Sequence, residues 1–404
     1  MGETTSPGAA DIAIIGGGIA GLALAAALND SGLSITVIEA RTLPGAPAGD
    51  AVTDYDARVS ALTARSIAFL RDLGAWDTVK GQRYCAYRHM TVWDAEGTGR
   101  IEFDASEVGA QSLGSIVENS LIVSALAEQV RRLPSVDLRS DTSLDTLEDT
   151  GDGMRLRFDD GTSLVAGLLV AADGALSPVR SLLGMRTREW DYGHRAIVTT
   201  AAFEAPHQHT AWQRFLQSGP LALLPLGGRD DRLCSIVWSI EENRADDLLG
   251  LDDAAFSAAL TEASEAVLGR VCACAPRRAF PLRQRHAVDY VMPGAALVGD
   301  AAHTIHPLAG QGINLGLADV DALAQELHRA RRLGLEPGDI AVLGRYQRSR
   351  KGDNLRMMAA MDGFKRLFGS DALPLRWLRN TGMRGVASLP AVKRRIIREA
   401  MGAS

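Results

Sequence analysis

The sequence is poor in cysteine. It contains four, Cys85, Cys234, Cys272 and Cys274, among 404 residues. Only the last two lie close together, and neither a second close pair nor a histidine cluster accompanies them, which excludes the usual tetrahedral zinc site. Sparse, unpaired cysteines are typical of proteins in a reducing compartment. The sequence predicts a cytoplasmic protein with free thiols and no metal.

An excess of positive charge is also missing. There are 43 Lys and Arg against 49 Asp and Glu, which gives a net charge of −6 and a pI near 5.8. A protein with this balance has no overall basic field to hold nucleic acid, so nucleic acid is excluded as a partner. Long apolar runs are absent too, because glycines interrupt the apolar stretch 12–28 and an acidic residue precedes it. We predict neither a signal peptide nor a transmembrane span.

What the sequence does contain is enough apolar material for a large core, since 46% of its residues are apolar. The range 11–15 is a short β-branched run, 16–21 is a glycine turn that leads into helical spacing, and 34–39 is a second strand. A strand, a helix and a strand within about thirty residues form a βαβ unit. Such a unit implies a parallel sheet.

The rest of the chain predicts further elements around that unit. The range 58–73 is predicted as one helix that ends at Gly74, and 120–132 as another. Alternating apolar residues within 136–172 predict an antiparallel hairpin or meander. We also expect strands at 196–203, 211–216, 221–226, 233–239 and 295–298, a long helix from Gly312, and mostly helix from 344 onward.

A glycine motif follows the first strand directly. Gly16, Gly18 and Gly21 occupy the turn, and Glu39 ends the next strand. Glycines at these places permit a tight turn, close approach of a pyrophosphate to backbone N–H groups, and close packing of helix on strand. An acid at the position of Glu39 accepts hydrogen bonds from ribose hydroxyls. The motif predicts a dinucleotide, NAD or FAD, with a plain glycine-rich helix start as the alternative.

Two later motifs decide between these cofactors. One buried strand ends in Asp173-Gly174, and another ends in Gly299-Asp300, followed by Pro307, Gly310 and the range 312–314. An aspartate at the carboxyl end of a strand is placed to bind a ribityl hydroxyl, because ligands of open α/β sheets bind at that edge. The later glycines let backbone N–H groups face the flavin carbonyl where negative charge accumulates on reduction. The three motifs together predict FAD.

The elements and motifs together predict a mixed α/β fold class. A Rossmann-like FAD domain with a parallel sheet is expected to interweave with an antiparallel substrate sheet and a helical C-terminal region. We predict the FAD domain in three pieces, 1–80, 111–185 and 289–335, the substrate domain as strands at 81–110 plus a sheet at 186–288, and the helical region at 336–404.

The order of the three motifs resembles that of the single-component flavoprotein aromatic hydroxylases, the family of para-hydroxybenzoate hydroxylase. Within it, the chain is similar to the ubiquinone-biosynthesis hydroxylases, and in particular to the 2-polyprenylphenol 6-hydroxylase subgroup. The stretches that carry this resemblance are DARVSAL (56–62), REWDY (188–192), WQRF (212–215), PLRQRH (281–286), HTIHPLAGQG (303–312) and LRWLRN (375–380). The resemblance spans nearly the whole chain.

The resemblance implies a set of FAD contacts. At Asn119 many relatives have arginine or glutamine against the FAD phosphates, and asparagine can still form a hydrogen bond but supplies no charge. Asp173 belongs to the shared motif and supports either the cofactor site or a site for the reductant. The implied contacts are Gly16, Gly18, Gly21, Glu39, Arg58, Asn119, Asp173, Asp300, Pro307, Gly310, Gly312, Ile313 and Asn314.

The resemblance also implies the reaction. Reduced flavin captures O2 as a C4a-hydroperoxide, which hydroxylates the electron-rich ring of a polyprenylated phenol or benzoquinol, and the protein excludes water. NAD(P)H or a separate reductase is expected to supply the electrons. His303 and His306 flank the flavin loop and are the catalytic candidates, because they can move protons near neutral pH. The alternative is that they hold the loop by hydrogen bonds.

The C-terminal segment 392–401 carries four basic residues among apolar ones. Such a helix either rests on an anionic membrane surface, which suits a polyprenylated substrate, or presents a solvated face. The expected partners are this substrate, other quinone-biosynthesis proteins and the inner face of the membrane. The alternatives are a hydroxylase of another small aromatic, a flavoprotein halogenase or prenyl reductase, and a non-enzymatic flavin-binding scaffold.

Overall fold

The computed structural model describes residues 8–95, 99–228, 230–304, 312–368 and 389–402. Within these ranges the strands form three sheets, of which one is built around parallel strands, one is largely antiparallel and one is small. Parallel and antiparallel sheets combine with helices throughout. The mixed α/β class predicted from the sequence is confirmed.

Elements are numbered along the described chain. The strands are β1 (Gly8–Ile15), β2 (Ile35–Ile38), β3 (Val59–Leu62), β4 (Cys85–Tyr87), β5 (His89–Asp94), β6 (Arg100–Asp104), β7 (Gly114–Glu118), β8 (Val136–Arg139), β9 (Leu144–Asp149), β10 (Met154–Phe158), β11 (Ser163–Ala171), β12 (Thr187–Phe203), β13 (Thr210–Leu216), β14 (Gly219–Pro225), β15 (Leu233–Glu241), β16 (Val271–Cys274), β17 (Arg278–Ala287), β18 (Val291–Met292), β19 (Ala295–Leu297) and β20 (His303–Thr304). The helices are α1 (Ile19–Ala27), α2 (Ala64–Asp72), α3 (Trp76–Lys80), α4 (Asn119–Val130), α5 (Pro178–Leu182), α6 (Glu242–Leu249), α7 (Asp253–Ala263), α8 (Gly312–Arg332), α9 (Ile340–Phe368) and α10 (Pro390–Ala400).

The first sheet carries the glycine turn. β1 lies between β2 and β11 and is parallel to both, with Ile12 level with Ile35 and Leu168. All of β2 is buried, as expected of a strand covered on both faces. One apolar cluster joins these strands to α1, α4 and α8. The predicted meander is confirmed for β9, β10 and β11, which pair antiparallel while β11 also lies beside β1. It is wrong for the first part of the range, because β8 pairs parallel with β2.

The second sheet runs β20-β17-β12-β15-β14-β13-β5-β6, with β16 beside β12. The four strands predicted between 196 and 239 are confirmed as β12 to β15. β12 begins earlier than predicted, at Thr187, because its first half pairs with β17. α6 and α7 cover one face of this sheet, where Phe256 and Leu260 join its apolar residues.

The prediction of one helix over 58–73 is wrong in its first part. Val59–Leu62 is strand β3, which pairs antiparallel with β7, and α2 begins only at Ala64. Thr63 separates the two, because its side chain accepts a hydrogen bond from the Ser66 N–H at 3.3 Å and caps the helix. Apolar residues at 59 and 62 fit the helical period as well as a short buried strand, so spacing alone could not choose.

The C-terminal part is helical, as predicted, within the described residues. α8 and α9 contact each other, and α10 rests on the turn Ala105–Val108. Buried Ile397 and Met401 attach α10 to that turn, and Lys393 Nζ lies 2.6 Å from Glu107 Oε1. Across the described ranges, every helix is too short or too polar to cross a membrane.

Candidate cofactor and substrate site

The glycine turn is held at the carboxyl ends of the three central strands. The Gly16 N–H donates to the Ile38 carbonyl oxygen, and the Ala172 N–H donates to the Ile15 carbonyl oxygen, both at 2.8 Å. Gly16 has a φ of +111°, and a Cβ on it would lie 2.4 Å from the Ala172 carbonyl oxygen. Both facts require glycine here, so the turn has a fixed position.

The helix after this turn presents an open N-terminus. Gly18 is the N-cap of α1, and neither a side-chain cap nor an acidic first-turn residue is found among the described residues there. A Cβ on Gly18 would meet no atom within 4 Å, whereas one on Gly21 would lie 1.9 Å from the Gly16 carbonyl oxygen. Gly21 lets the helix approach the strand, and Gly18 leaves open space. Backbone N–H groups that face open space at a helix N-terminus fit a pyrophosphate.

Glu39 lies directly beside the turn. Its Oε2 accepts a hydrogen bond from the Gly17 N–H at 2.7 Å, and its Oε1 accepts one from the Arg41 N–H at 3.0 Å. Each carboxylate oxygen has two lone pairs, so acceptor capacity remains on both. The side chain fixes the turn, and its ribose contact stays a prediction.

Arg58 and Asn119 are brought together at one corner. The Asn119 N–H donates to the Arg58 carbonyl oxygen at 3.0 Å, and Asn119 Oδ1 accepts from Ser60 Oγ at 2.6 Å. Asp56 joins them by accepting the Ser120 N–H at 3.0 Å. The Arg58 side chain is exposed. Arg58 therefore offers, next to Asn119, the positive charge that asparagine lacks.

Asp300 lies in the turn Gly299–Ala301 that follows β19. Solvent reaches its side chain, yet protein atoms crowd it, and this crowding raises its pKa while the charges of His303 and Arg58 oppose the rise. A carboxylate that is both crowded and open to water lies in a cleft.

The start of α8 is tied to the β3–α2 corner by Asn314. Its Oδ1 accepts from the Thr63 N–H at 3.0 Å and from Ser66 Oγ at 2.7 Å, and its Nδ2 donates to the Ala61 carbonyl oxygen at 2.8 Å. Gly312 and Ile313 form the first turn of the same helix. Three predicted residues, His306, Pro307 and Gly310, lie outside the described residues.

Asp173 follows β11 at the same edge of the sheet. Its Oδ2 accepts the Val179 N–H at 3.0 Å, while its Oδ1 is buried and has no hydrogen-bond partner within the described chain. Burial raises the pKa of Asp173, and hydrogen bonds from the helix start oppose this. Buried Arg180 donates to the Ala301 carbonyl oxygen at 2.7 Å and links the second motif to the third. The free Oδ1 fits a ligand donor.

His303 lies in the interior. The residue is 2% exposed, and its Nε2 forms a hydrogen bond with the carboxylate of Asp319, which is fully buried. The backbone of His303 pairs with His286 of β17 in the second sheet. This geometry fits the interpretation that His303 holds the loop. Sequence reasoning missed Asp319, although a single acid between the apolar Leu317 and Val320 was a signal that could have found it.

The second sheet turns an apolar face towards residue 57. Ala57 packs there against Ala196, Val198 and Leu282. Trp212 and Arg214 point to the opposite face. There Arg214 Nη1 donates to the carbonyl oxygen of Ala263, the last residue of α7, at 2.7 Å, and the Trp212 ring lies edge-on to Trp93 at 6.2 Å. The part of this face that Ala57 contacts is therefore apolar, which fits an aromatic ring.

These groups fit FAD. An open helix N-terminus and an exposed arginine suit the pyrophosphate, carboxylates at the ends of β2, β11 and β19 suit hydroxyl groups, and an apolar face lies next to them. The arrangement brings together residues from the three sequence motifs. Such an arrangement binds a dinucleotide across the carboxyl edge of the first sheet.

Comparison with known proteins agrees with this geometry. A family model described as FAD binding domain matches residues 9–359. The chain is 39% identical to 3-demethoxyubiquinol 3-hydroxylase of Escherichia coli, over 97% of this chain and 98% of that protein. It is 36% identical to ubiquinone hydroxylase UbiL of Rhodospirillum rubrum, over 97% and 90%. It is 34% identical to the mitochondrial ubiquinone biosynthesis monooxygenase COQ6 of Homo sapiens, over 96% and 91%.

Solved structures share the fold. The p-nitrophenol 4-monooxygenase PnpA of Pseudomonas putida has a TM-score of 0.79 at 18% identity, over 98% of both chains. PqsL of Pseudomonas aeruginosa has a TM-score of 0.77 at 22% identity, over 93% of this chain and 100% of that one. The family assignment rests on the full-length matches above 30% identity. The chain belongs to the ubiquinone-biosynthesis hydroxylase family of FAD-dependent monooxygenases, within the para-hydroxybenzoate hydroxylase-like flavoproteins.

Proposed function

We propose that the protein hydroxylates the aromatic ring of a polyprenylated phenol or benzoquinol in ubiquinone biosynthesis, with FAD and O2. The observation that carries this is the 39% identity, over 97% of the chain, to a hydroxylase named for a demethoxyubiquinol. Two further relatives named for ubiquinone match over nearly the whole chain. Reduced FAD supplies the chemistry by activating O2 for transfer of one oxygen atom.

The geometry of the site supports a set of proposed FAD contacts. Gly18 and Arg58 bind the pyrophosphate, Glu39 the adenosine ribose, Asp300 the ribityl chain, and the backbone of 312–314 the flavin carbonyl. The open space at Gly18 and the exposed guanidinium of Arg58 support the first assignment. Four of the remaining candidates shape the site or support it, namely Gly16, Gly21, Asn119 and Asp173. Pro307 and Gly310 stay predicted contacts from the resemblance.

The substrate ring lies against the apolar face of the second sheet. A phenol is already electron-rich, so the chain has to bind and orient it and to exclude water, and a strong general base is not required. The packing of Ala57 on Val198 and Leu282 supports a dry site. We therefore assign 81–110 and 186–288 to the substrate domain and 1–80, 111–185 and 289–335 to the FAD domain, supported by β5 and β6 joining the second sheet.

NAD(P)H or a separate reductase supplies the electrons. The sequence contains one dinucleotide glycine motif, and the FAD site uses it. A nicotinamide donor would therefore bind transiently, without a domain of its own, or not at all, in which case the reductase supplies the electrons. Anaerobic mixing of the purified holoenzyme with NADH or NADPH tests this, because direct reduction bleaches the flavin absorbance. An unbleached flavin that a reductase extract does bleach assigns the role to the reductase.

Helix α10 brings the protein to the inner, cytoplasm-facing surface of the membrane. Its Ile397 is 2% exposed and attaches the helix to the protein, while Leu389, Val392 and Ile396 are 54%, 42% and 37% exposed. Three arginines of the same helix, Arg394, Arg395 and Arg398, are exposed as well. Exposed apolar and cationic side chains on one helix favour an anionic bilayer, where a polyprenylated substrate resides.

Vesicle binding tests the membrane proposal. We expect co-sedimentation with phosphatidylglycerol vesicles, little with phosphatidylcholine alone, and loss of binding in Leu389→Ser/Ile396→Ser. Leu333→Ser is the matched control, since Leu333 is 61% exposed away from α10. Equal binding by the double variant and the control would reject α10 as the contact.

Lipid mass spectrometry in cells lacking the gene tests the reaction. With oxygen present, we expect ubiquinone to fall and a polyprenylated precursor one oxygen short to accumulate. The wild-type gene and Asp321→Asn should restore ubiquinone, because Asp321 pairs only with Arg65 and Gln325 on the surface in the described structure. Asp300→Asn should restore much less. The structure of the precursor identifies the ring carbon, position 3 as in the name of the Escherichia coli relative or position 6 as in the subgroup that the motifs resemble.

Other outcomes separate the alternatives. The quinone lipids could stay unchanged after redundancy has been excluded, while small phenols stimulate O2 consumption. This result would indicate a hydroxylase of another aromatic compound. Halide incorporation or saturation of a prenyl chain would indicate the halogenase or reductase chemistry. A protein that binds FAD but consumes no O2 with any of these substrates would be a non-enzymatic flavin-binding scaffold.

A further inference from the structure

A buried carboxylate holds the turn that carries Asp300. Asp319 on α8 is fully buried. Its Oδ2 accepts hydrogen bonds from His303 Nε2 and from the Gly299 N–H at 3.3 Å, and its Oδ1 accepts from Arg350 Nε at 2.9 Å and Asn354 Nδ2 at 3.1 Å. Both oxygens are thus used twice.

The four donors come from two parts of the fold. Gly299 and His303 belong to residues 299–304, here called the Gly-Asp turn, whereas Arg350 and Asn354 belong to α9. Arg350 Nη2 also donates to Asn354 Oδ1 at 3.0 Å, so the α9 pair is itself fixed. The carboxylate therefore clamps the Gly-Asp turn to α9 through α8. Asp300 lies within this turn, and the turn leads towards residues 312–314.

The same cluster reaches the second sheet. The Tyr290 ring lies 5.8 Å from the His303 ring and 5.5 Å from the His286 ring. Tyr290 Oη is 3.0 Å from His286 Nε2, and Asn354 Nδ2 donates to it at 3.4 Å. A change in the clamp therefore affects the contact between the FAD sheet and the substrate sheet.

The clamp requires a charged acid. Burial alone would raise the pKa of Asp319, but the charges and hydrogen bonds of His303 and Arg350 hold it below its ordinary value. Arginine and a backbone N–H can only donate hydrogen bonds. An asparagine at 319 would therefore turn its NH2 group towards either Gly299 or Arg350. An apolar residue would leave the buried Arg350 with only the exposed carboxylate of Asp353, 3.4 Å from its Nη1, as a counter-ion, and losing the buried partner is costly.

We propose that Asp319 is the positioning residue of the cofactor site, because it fixes the Gly-Asp turn, and with it Asp300, in the orientation that FAD binding requires. The inference rests on the proposed role of Asp300 in binding the ribityl chain. Asp319 does not touch the cofactor and acts through His303 and Gly299.

Four variants test this. Asp319→Asn breaks the clamp, and His303→Leu removes one donor from it. His303→Gln is the conservative replacement, because its amide nitrogen lies as many bonds from Cβ as histidine Nε2 and can also donate to Asp319. Asp321→Asn is the matched control, two residues away on the same helix and paired with Arg65 at 3.5 Å on the surface.

Two readouts need no turnover. In the FAD-free protein, we expect amide hydrogen exchange of residues 299–304 to be about tenfold faster in Asp319→Asn and His303→Leu. FAD dissociation constants from fluorescence titration should rise by a similar factor of about ten, the lower end of the loss seen when a carboxylate that supports a metal ligand is removed. His303→Gln and Asp321→Asn should match the wild type in both. If Asp319→Asn does not fold, the comparison of His303→Leu with His303→Gln decides.

Wild-type exchange and wild-type FAD affinity in the folded Asp319→Asn and His303→Leu variants would overturn the proposal. Equal losses in His303→Leu and His303→Gln would also overturn it, because loss of packing would then explain the effect. A wild type that binds FAD but consumes no O2 with polyprenylphenols refutes the proposed function only. In that case the hydrogen exchange and FAD affinity of the variants still test the positioning role of Asp319.

Discussion

Alanine at Gly18 and alanine at Gly21 separate cofactor binding from folding. The two glycines lie one helical turn apart at the start of α1, yet a Cβ at Gly18 would meet open space and a Cβ at Gly21 would lie 1.9 Å from the Gly16 carbonyl oxygen. Gly18 has φ −76° and ψ −173°, an extended conformation that alanine also adopts. Gly18→Ala is therefore expected to fold, and Gly21→Ala is expected to be destabilised.

The magnitudes follow from these contacts. Gly18→Ala reduces the entropy of the unfolded chain and should stabilise the FAD-free protein by about 0.4–1 kcal/mol. At Gly21, ordinary contact begins near 3.4 Å, so helix and turn must separate by about 1.5 Å, and such overpacking costs about 1–3 kcal/mol or more. The Gly18 methyl group occupies the space proposed for the pyrophosphate, so FAD affinity should fall at least about tenfold, which is about 1.4 kcal/mol.

Thermal unfolding of the FAD-free proteins and FAD fluorescence titration measure the two effects. Gly18→Ala should have a melting temperature at or above the wild type and weak FAD binding, and Gly21→Ala should have a lower melting temperature. FAD binding by Gly18→Ala as tight as by the wild type would refute the placement of the pyrophosphate. Wild-type stability of Gly21→Ala would refute the contact argument at α1.

Three further changes test the packing around the site. Burial lowers the pKa of His286 from 6.5 to about 4. As the pH falls, the imidazole therefore becomes protonated in the unfolded chain before it does so in the folded protein. Stability is lost between pH 6.5 and pH 4. His286→Gln should remove up to about 3 kcal/mol of that loss in urea unfolding at the two pH values. Glu118→Ala leaves Arg83, whose side chain is 9% exposed, without its partner at 2.7 Å, and should cost about 3–5 kcal/mol in the same assay. Ile397→Asp should detach α10, and limited proteolysis should then cleave this helix first.

The first βαβ unit could be predicted because its signals are local. A β-branched run, a glycine turn and an acid at the end of the next strand each specify their own conformation within a few residues. The Asp-Gly and Gly-Asp motifs were located at strand ends for the same reason. Fold class and most strands therefore followed from the sequence. The range 58–73 was mispredicted because Thr63, the helix cap, was not used as a boundary.

The buried polar cluster could not be predicted in this way. Asp319 accepts hydrogen bonds from residues 299, 303, 350 and 354, and only the fold brings those segments together. Periodicity identifies the buried side of α8 but does not tell which partner a buried acid meets. The same limit applies to Arg58 and Asn119, whose contact depends on the pairing of β3 with β7.

The segment 56–58 explains how one chain joins cofactor and substrate binding. Asp56 accepts the first-turn N–H of Ser120 in α4, Ala57 packs on the apolar face of the second sheet, and the charge of Arg58 acts on Asp300 of the first sheet. Three consecutive residues thus reach α4, the second sheet and the turn that carries Asp300. On the other side of Asp300, Asp319 fixes the Gly-Asp turn. The cleft around Asp300 is therefore bordered by the segment 56–58, and its turn is held by the buried Asp319. A substitution that loosens either one should weaken FAD binding and increase release of H2O2 together, because in the proposed site one cleft both binds the cofactor and excludes water.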